Sequence, residues 1–184
     1  MKKIVFVHGL NSGPNDGWFP WLKENLQDRG FEVVSSQFPK GKDLKSSKWI
    51  EHLKSDSGTL DEDLFFVGHS LGCVSIVRFL ETLPEDIKVG GAVFVAPFFK
   101  KLKYPEIIEF TESSLDVEKA RKHLLKSISI ISEDDHVVPV DVAIDFVNRM
   151  NSEVVVDNGK GHFGQKSGIK KLQSALEAVL KITK

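Results

Sequence analysis

The chain has 184 residues, with 25 basic side chains against 26 acidic ones and a single cysteine, Cys73. That length predicts one domain over residues 1–184, large enough to bury roughly 70% of its unfolded surface without a disulfide or a metal. Because the charges are balanced, the sequence gives no electrostatic indication of nucleic-acid binding. A single cysteine excludes a disulfide framework and a Cys-rich zinc site.

The first half of the chain alternates short apolar runs with helical patterns. Residues 3–7 are almost continuously apolar, as in a strand that is buried on both faces of a sheet. A glycine-rich loop follows at 8–17, and apolar side chains three or four positions apart then predict a helix over 18–29. A strand at 31–35 and a helix over 46–54 come next.

The second half continues the same alternation. Its predicted elements are a strand at 64–67, a helix after Gly72, a strand at 90–96, an irregular segment with short helical pieces at 98–123, a strand at 127–132, a helix over 140–150, a strand at 153–156 and a helix over 169–180. Helices separate the strands, and no hairpin turn joins two of them. This order requires right-handed crossovers, so we expect an α/β fold with a mostly parallel sheet and helices on both faces.

The compartment is predicted from the cysteine content and from hydropathy. A lone cysteine suits a reducing environment, and no apolar run approaches the length of a membrane span. The apolar run after the two N-terminal lysines has only four residues, and no small-residue cleavage site of a signal peptide follows it. We therefore expect a cytoplasmic, soluble protein.

A G-x-S-x-G motif lies between the strand at 64–67 and the next helix, as Gly68-His69-Ser70-Leu71-Gly72. In a nucleophile elbow the serine has a strained backbone that lifts its hydroxyl above the sheet. Strand and helix crowd the positions two before and two after the serine, where glycine fits. The alternative is a glycine-rich turn without chemistry, but the flanking strand and helix favour Ser70 as a nucleophile.

Further reactive side chains follow two later strands. Asp134 and Asp135 follow the strand at 127–132, whereas Asp157 and His162 follow the last strand. In a parallel sheet, ligands bind beyond the carboxyl ends of the strands, so these side chains are expected near the serine. The order Ser, Asp, His is that of the α/β-hydrolase triad.

His162 is the candidate general base, because a serine hydroxyl needs a base within hydrogen-bond reach. An exposed loop histidine is the alternative, and the presence of Ser70 favours catalysis. Among the carboxylates we favour Asp135 as the group that orients the imidazole. Asp134 is expected to cap the turn or the following helix, and Asp157, five residues before His162 on the same loop, is expected to cap that loop.

The oxyanion hole requires two backbone N–H groups. One belongs to Leu71, which follows the nucleophile, and the other is expected from Leu10 in the loop after the first strand. His8 in that loop is expected to shape it rather than to act as a base. Cys73, one turn after the serine, is expected to be a small buried residue and not a second nucleophile.

Two aromatic residues are candidate substrate-binding side chains. Trp18 follows the predicted oxyanion loop, and a place in the core is its alternative. Phe98 begins the irregular segment, which we expect to cover the site in part. Trp21 and Trp49 are interpreted as core residues, because aromatic side chains on one helix face usually pack inside.

Other motifs are rejected on their context. Residues 159–164 match G-x-G-x-x-G after a strand, but no second strand with an acidic residue follows to complete a dinucleotide-binding unit. The histidines lack H-E-x-x-H spacing, so no metal site is predicted.

Several motifs together resemble one known family. They are His8-Gly9, Trp18-Phe19-Pro20-Trp21-Leu22, the elbow with Cys73, Ser132-Glu133-Asp134-Asp135 with Val138-Pro139, and Gly161-His162-Phe163. This combination, which spans nearly the whole chain, resembles the small YdeN-like serine hydrolases, relatives of retinoblastoma-binding protein 9 in the α/β-hydrolase superfamily. The resemblance implies a minimal α/β-hydrolase fold without a large lid, a triad of Ser70, Asp135 and His162, and no cofactor.

Two functional hypotheses follow. The first is a serine hydrolase that cleaves a small ester, thioester or amide substrate through an acyl-enzyme. The second is a protein-interaction module on a hydrolase scaffold, suggested by the binding-protein name within the family and by the fact that fold does not dictate function. An intact arrangement of Ser70 and His162 favours the first hypothesis, whereas a long separation of the two side chains favours the second.

Overall fold

The computed structural model of the protein describes residues 1–111, 114–164 and 167–184. Its six strands form one sheet in the order β2-β1-β3-β4-β5-β6, and every neighbouring pair is parallel. The strands are β1 Lys3–Val7, β2 Glu32–Ser35, β3 Leu64–His69, β4 Val89–Val95, β5 Leu124–Ile131 and β6 Glu153–Val156. The predicted parallel sheet is therefore confirmed.

Helices connect the strands and cover the sheet on both faces. They are α1 Phe19–Gln27, α2 Ser46–Ser57, α3 Leu71–Leu80, α4 Ile108–Thr111, α5 Val117–Lys122, α6 Val140–Met150 and α7 Gln173–Ile182. Short 3-10 turns at Gly41–Asp43 and Pro105–Ile107 accompany them. The helices of one core, α1 and α7, pack on one face of the sheet, and α2 to α6 pack on the other. This is the expected α/β-hydrolase arrangement, and the described residues include no large lid.

Strand register brings the loops after the strands to one edge of the sheet. Val7 at the end of β1 is paired with Gly68 of β3, and His69 at the end of β3 is paired with Val95 of β4. At the other side of the sheet, Ile131 of β5 is paired with Val156 of β6. The loops that carry the candidate site residues therefore leave the sheet at the same edge.

Most element boundaries differ from the sequence prediction by one to four residues, and two of these differences have a clear physical reason. β5 begins at Leu124 and not at Ser127, because Leu124 and Lys126 are paired with β4. The last helix begins at Gln173, and Leu172 before it has a non-helical backbone and a fully buried side chain. No helix within the described ranges is long and apolar enough to cross a membrane.

Candidate active site

The turn between β3 and α3 has the geometry that the G-x-S-x-G motif predicts. Ser70 has φ 53° and ψ −117°, a conformation that L-residues rarely adopt, and its N–H donates to the Val95 carbonyl at 2.9 Å. A Cβ on Gly72 would lie 2.0 Å from the Val7 carbonyl oxygen, so no larger residue fits between α3 and β1. This crowding holds the serine at the tip of the turn.

A continuous chain of hydrogen bonds joins the three side chains that the sequence singled out. Ser70 Oγ lies 2.9 Å from His162 Nε2, and His162 Nδ1 lies 2.8 Å from Asp135 Oδ2 and 3.1 Å from Oδ1. A carboxylate only accepts, so Nδ1 carries the imidazole proton and Nε2 accepts from the serine hydroxyl. The histidine is thus in the tautomer that a base for Ser70 requires.

Asp135 is held by its own turn. Its Oδ1 also accepts the N–H groups of Val137 and Val138, at 2.8 and 2.9 Å, and its side chain is only 3% exposed. Three donors therefore fix the carboxylate in one orientation, with its second oxygen directed at His162. The neighbouring Pro139 precedes α6, so the turn ends where that helix begins.

The two rival carboxylates make other contacts. Asp134 accepts the hydroxyl of Ser132 and the N–H groups of Gly159 and Gly161, at 3.0 and 3.2 Å. These hydrogen bonds, with the serine hydroxyl as the largest cause, lower the pKa of Asp134. Asp157 accepts the Ser174 hydroxyl at 2.6 Å. Both carboxylates contact the loop after β6 or the helix that follows it, and neither bonds to the His162 ring within the described residues.

Two residues beside the serine have backbone N–H groups that are candidates for an oxyanion hole. Leu71 is the first residue of α3, so its N–H has no acceptor inside the helix. Leu10 lies in the loop after β1, and both residues line the cleft in front of Ser70. In the described part of the chain neither N–H donates to a protein acceptor. The positive end of the α3 dipole adds to their field.

Two histidines beside the site are buried and neutral. Burial lowers the pKa of His8 to about 4; its Nδ1 donates to the Gly9 carbonyl at 2.8 Å, and its Nε2 accepts the Phe38 N–H at 3.0 Å. Burial, and then the nearby imidazole of His162, lower the pKa of His69 to about 3. His8 therefore links the loop after β1 to the segment after β2, in keeping with its predicted structural role.

A cleft of about 220 Å³ opens over Ser70 and His162. Apolar side chains from four segments line it, namely Leu10, Leu71, Leu102, Tyr104, Ile107 and Val137. Besides Ser70 and His162, the polar residues that line it are Asn11, Ser12, His69, His136 and Ser167. The segment after β4 thus covers part of the site, as expected. Sequence periodicity did not indicate that Leu102, Ile107 and Val137 line the cleft.

The two predicted substrate-binding aromatics lie elsewhere. Neither Trp18 nor Phe98 is among the described residues that line the cleft. Trp18 is 2% exposed, packs against Phe19, and donates its indole N–H to the Phe163 carbonyl at 2.9 Å. Phe98 is fully buried in the core on the opposite face of the sheet. Trp18 is therefore a core residue, which was the alternative interpretation of it, and Phe98 is a core residue as well.

Cys73 is fully buried one turn into α3. Its thiol donates to the Val95 carbonyl at 3.4 Å, and burial raises its pKa far above the usual range. A buried thiol that resists ionisation is inert, in agreement with its interpretation as a small core residue.

The chain is similar to known hydrolases. A family model described as serine hydrolase matches residues 4–181. The protein YdeN of Bacillus subtilis (strain 168) is 31% identical over 172 residues, which cover 93% of this chain and 90% of YdeN. The serine hydrolase RBBP9 of Rattus norvegicus is 22% identical over 166 residues, or 88% of this chain and 87% of its own.

Solved structures show the same fold. The crystal structure of the ydeN gene product from B. subtilis matches with a TM-score of 0.93 and 29% identity, covering 99% of this chain and 98% of that one. A carboxylesterase structure from the thaumarchaeon Nitrososphaera gargenis matches with a TM-score of 0.75 over 99% and 90% of the two chains, at 14% identity, and shows the fold alone. The chain therefore belongs to the serine hydrolase family, among its YdeN-like members in the α/β-hydrolase superfamily.

Proposed function

We propose that the protein cleaves carboxylic esters, thioesters or amides with Ser70 as nucleophile, His162 as general base and Asp135 as the group that orients the base. The observation that carries this proposal is the unbroken hydrogen-bonded chain from the Ser70 hydroxyl through His162 to a buried carboxylate. Such a chain solves the problem that a serine hydroxyl is a poor nucleophile at neutral pH.

In the first half of the reaction, Ser70 Oγ attacks the substrate carbonyl carbon while its proton moves to His162 Nε2. The negative charge that develops on the carbonyl oxygen is stabilised by the N–H groups of Leu10 and Leu71. Asp135 stabilises the imidazolium that forms. His162 then gives its proton to the leaving oxygen, sulfur or nitrogen, the bond to that atom breaks, and an acyl-enzyme remains.

In the second half, a water molecule attacks the acyl carbon as His162 Nε2 removes its proton. The bond between the acyl carbon and Ser70 Oγ breaks, the serine recovers its proton from His162, and the carboxylic acid leaves. The reaction consumes water alone besides the substrate, and it returns each side chain to its starting protonation state.

The cleft favours a small acyl substrate. Its volume of about 220 Å³ lies below the range of roughly 300–1,000 Å³ that is usual for sites of drug-sized ligands. Leu102, Ile107 and Val137 supply an apolar wall, which suits the hydrocarbon part of a short acyl or alcohol group.

Labelling with a fluorophosphonate probe, followed by intact mass, tests the proposal. We expect one adduct on the wild-type protein, none on Ser70→Ala, and normal labelling of Ser75→Ala. Ser75 is a matched control because it lies on the same helix but donates to the Leu71 carbonyl, at 2.9 Å, away from the base.

Turnover of a short ester is expected to fall by at least about 10⁴-fold in Ser70→Ala, while thermal unfolding stays cooperative. Wild-type turnover by Ser70→Ala would refute the assignment. A folded wild-type protein that takes no adduct and turns over no ester would instead favour the protein-interaction hypothesis.

A further inference from the structure

The loop that carries His162 contains three residues in the left-handed region of backbone conformation. Gly159, Gly161 and Phe163 all have positive φ, of 76°, 53° and 55°. Glycines give a loop conformational freedom, and a phenylalanine at positive φ persists only where its surroundings enforce it. A general base has to be held within roughly 0.5 Å of its productive position. Groups outside the loop must therefore fix it.

Two buried ring N–H groups reach the backbone at the base itself. His69 Nε2 lies 2.8 Å from the carbonyl oxygen of His162, and Trp18 Nε1 donates to the next carbonyl, that of Phe163, at 2.9 Å. The exposed fractions of the His69 and Trp18 residues are 8% and 2%. The Trp18 hydrogen bond is buried and that of His69 is partly buried, so both are stronger than on the open surface and costly to leave unmade.

The donor and acceptor roles of His69 follow from its partner. A carbonyl oxygen only accepts, so Nε2 of His69 carries the proton. The rings of His69 and His162 lie 5.1 Å apart between centroids, and those of Trp18 and His69 lie 6.1 Å apart. The three rings thus form one packed group beside Ser70, built from the β1–α1 loop, the elbow and the base loop.

We propose that His69 and Trp18 are positioning residues for the general base: through the carbonyls of His162 and Phe163 they hold the imidazole within reach of Ser70. This inference rests on the proposed function, in which His162 is the base. Trp18 does not line the cleft, and the His69 ring, which does, makes no hydrogen bond to Ser70 Oγ or to the His162 ring among the described residues. Their loss is therefore expected to act on the geometry of the base. A displacement of about 1 Å at a reacting group costs on the order of 100-fold in rate.

Trp18→Phe tests the inference, with Trp49→Phe as a matched control. The exchange keeps most of the ring and removes the N–H donor. Trp49 is also buried and donates its indole N–H to a backbone carbonyl at 2.9 Å, but that carbonyl belongs to Pro39. Each variant loses the hydrogen bond of one buried indole ring, and only Trp18→Phe loses one at the base loop.

With a short ester as substrate, we expect kcat of Trp18→Phe to fall by roughly 10- to 100-fold with KM changed less than about twofold. Trp49→Phe is expected to keep the wild-type kcat at a similar loss of thermal stability. Equal kcat values for the two variants would overturn the inference. A raised KM with unchanged kcat would also overturn it, because Trp18 would then bind substrate.

His69 offers a second test with a conservative rescue. Glutamine can donate an N–H to the His162 carbonyl, whereas leucine cannot. We expect His69→Gln to retain a kcat several-fold above that of His69→Leu. Equal kcat values for these two variants would contradict a role for the hydrogen bond.

Amide hydrogen exchange separates the positioning role from the chemistry. The N–H of Phe163 donates to the Lys160 carbonyl at 3.0 Å, and the N–H of Gly161 donates to Asp134 at 3.2 Å. Exchange of these amides is expected to rise in Trp18→Phe and not in Trp49→Phe, even if the wild-type protein takes no fluorophosphonate. Unchanged exchange in Trp18→Phe would refute the anchoring of the loop, whereas failed labelling alone refutes the proposed hydrolysis.

Discussion

Two buried neutral histidines make the free energy of unfolding depend on pH in a defined window. The pKa of His8 lies at about 4 and that of His69 at about 3, against a reference of 6.5 for an unperturbed histidine. Below pH 6.5 the unfolded chain binds protons at these positions that the folded chain does not bind. Stability is therefore full above about pH 6.5 and falls as the pH drops towards the two folded-state values.

The magnitude follows from linkage. Well inside the window, each histidine contributes a slope of about 1.4 kcal/mol per pH unit. Between pH 7 and pH 5 this amounts to about 2 kcal/mol for each residue, and roughly 3–4 kcal/mol for both. A loss of that size is a large part of the roughly 5–15 kcal/mol that stabilises a typical domain.

Urea unfolding between pH 7 and pH 5 measures this effect, with His8→Gln as the informative variant. Glutamine does not titrate, so the variant should lose stability with acid about half as steeply as the wild-type protein, whatever its stability at pH 7. A wild-type free energy of unfolding that is the same at both pH values would refute the reasoning. So would an identical slope for His8→Gln, because His8 would then be charged in the folded protein.

Two further predictions concern packing. Gly72→Ala is expected to lower the free energy of unfolding by about 3 kcal/mol or more, because its Cβ would lie 2.0 Å from the Val7 carbonyl oxygen. Gly164→Ala meets only contacts of 3.8 Å and should lower it by less than about 1 kcal/mol. Thermal unfolding distinguishes them, and similar melting temperatures would contradict the crowding at the elbow. Ile107→Ala is expected to enlarge the cleft and to shift the best substrate in a series of esters towards longer acyl or alcohol chains. Ile87 packs against the same core outside the cleft, so Ile87→Ala should leave that preference unchanged.

The sequence predicted the sheet because its strands carry two independent signals. Apolar runs marked the strands at 3–7 and 153–156 to the residue, and the intervening helical patterns excluded hairpins. The predicted element boundaries were wrong where strand pairing or core packing overrides the local sequence pattern. Lys126 is a polar residue that extends β5 only because β4 pairs with it, and Leu172 is apolar yet lies before the last helix. Neither constraint is visible in a local window of sequence.

The grouping of the serine, histidine and carboxylate side chains was predictable for a topological reason. Parallel strands place their carboxyl ends at one edge, so residues that follow different strands meet there at any separation along the chain. The topology of the sheet does not determine the direction in which a side chain points. Trp18 and Phe98 both follow site loops, but they turn into the cores on opposite faces of the sheet. Tertiary packing sets that choice, and a motif does not record it.

The adjacent carboxylates show the same limit at the site itself. In sequence, Asp134 and Asp135 compete for one role, because either follows the strand and either can reach a histidine. In the structure, successive side chains diverge: Asp135 accepts the ring N–H of His162, and Asp134 accepts the N–H groups of Gly159 and Gly161. Both carboxylates thus bind the loop that carries His162, one at the imidazole and one at the backbone before it. The two carboxylates, which the sequence presents as alternatives, therefore act together. One anchors the glycine-rich loop, and the other is the hydrogen-bond partner of the imidazole.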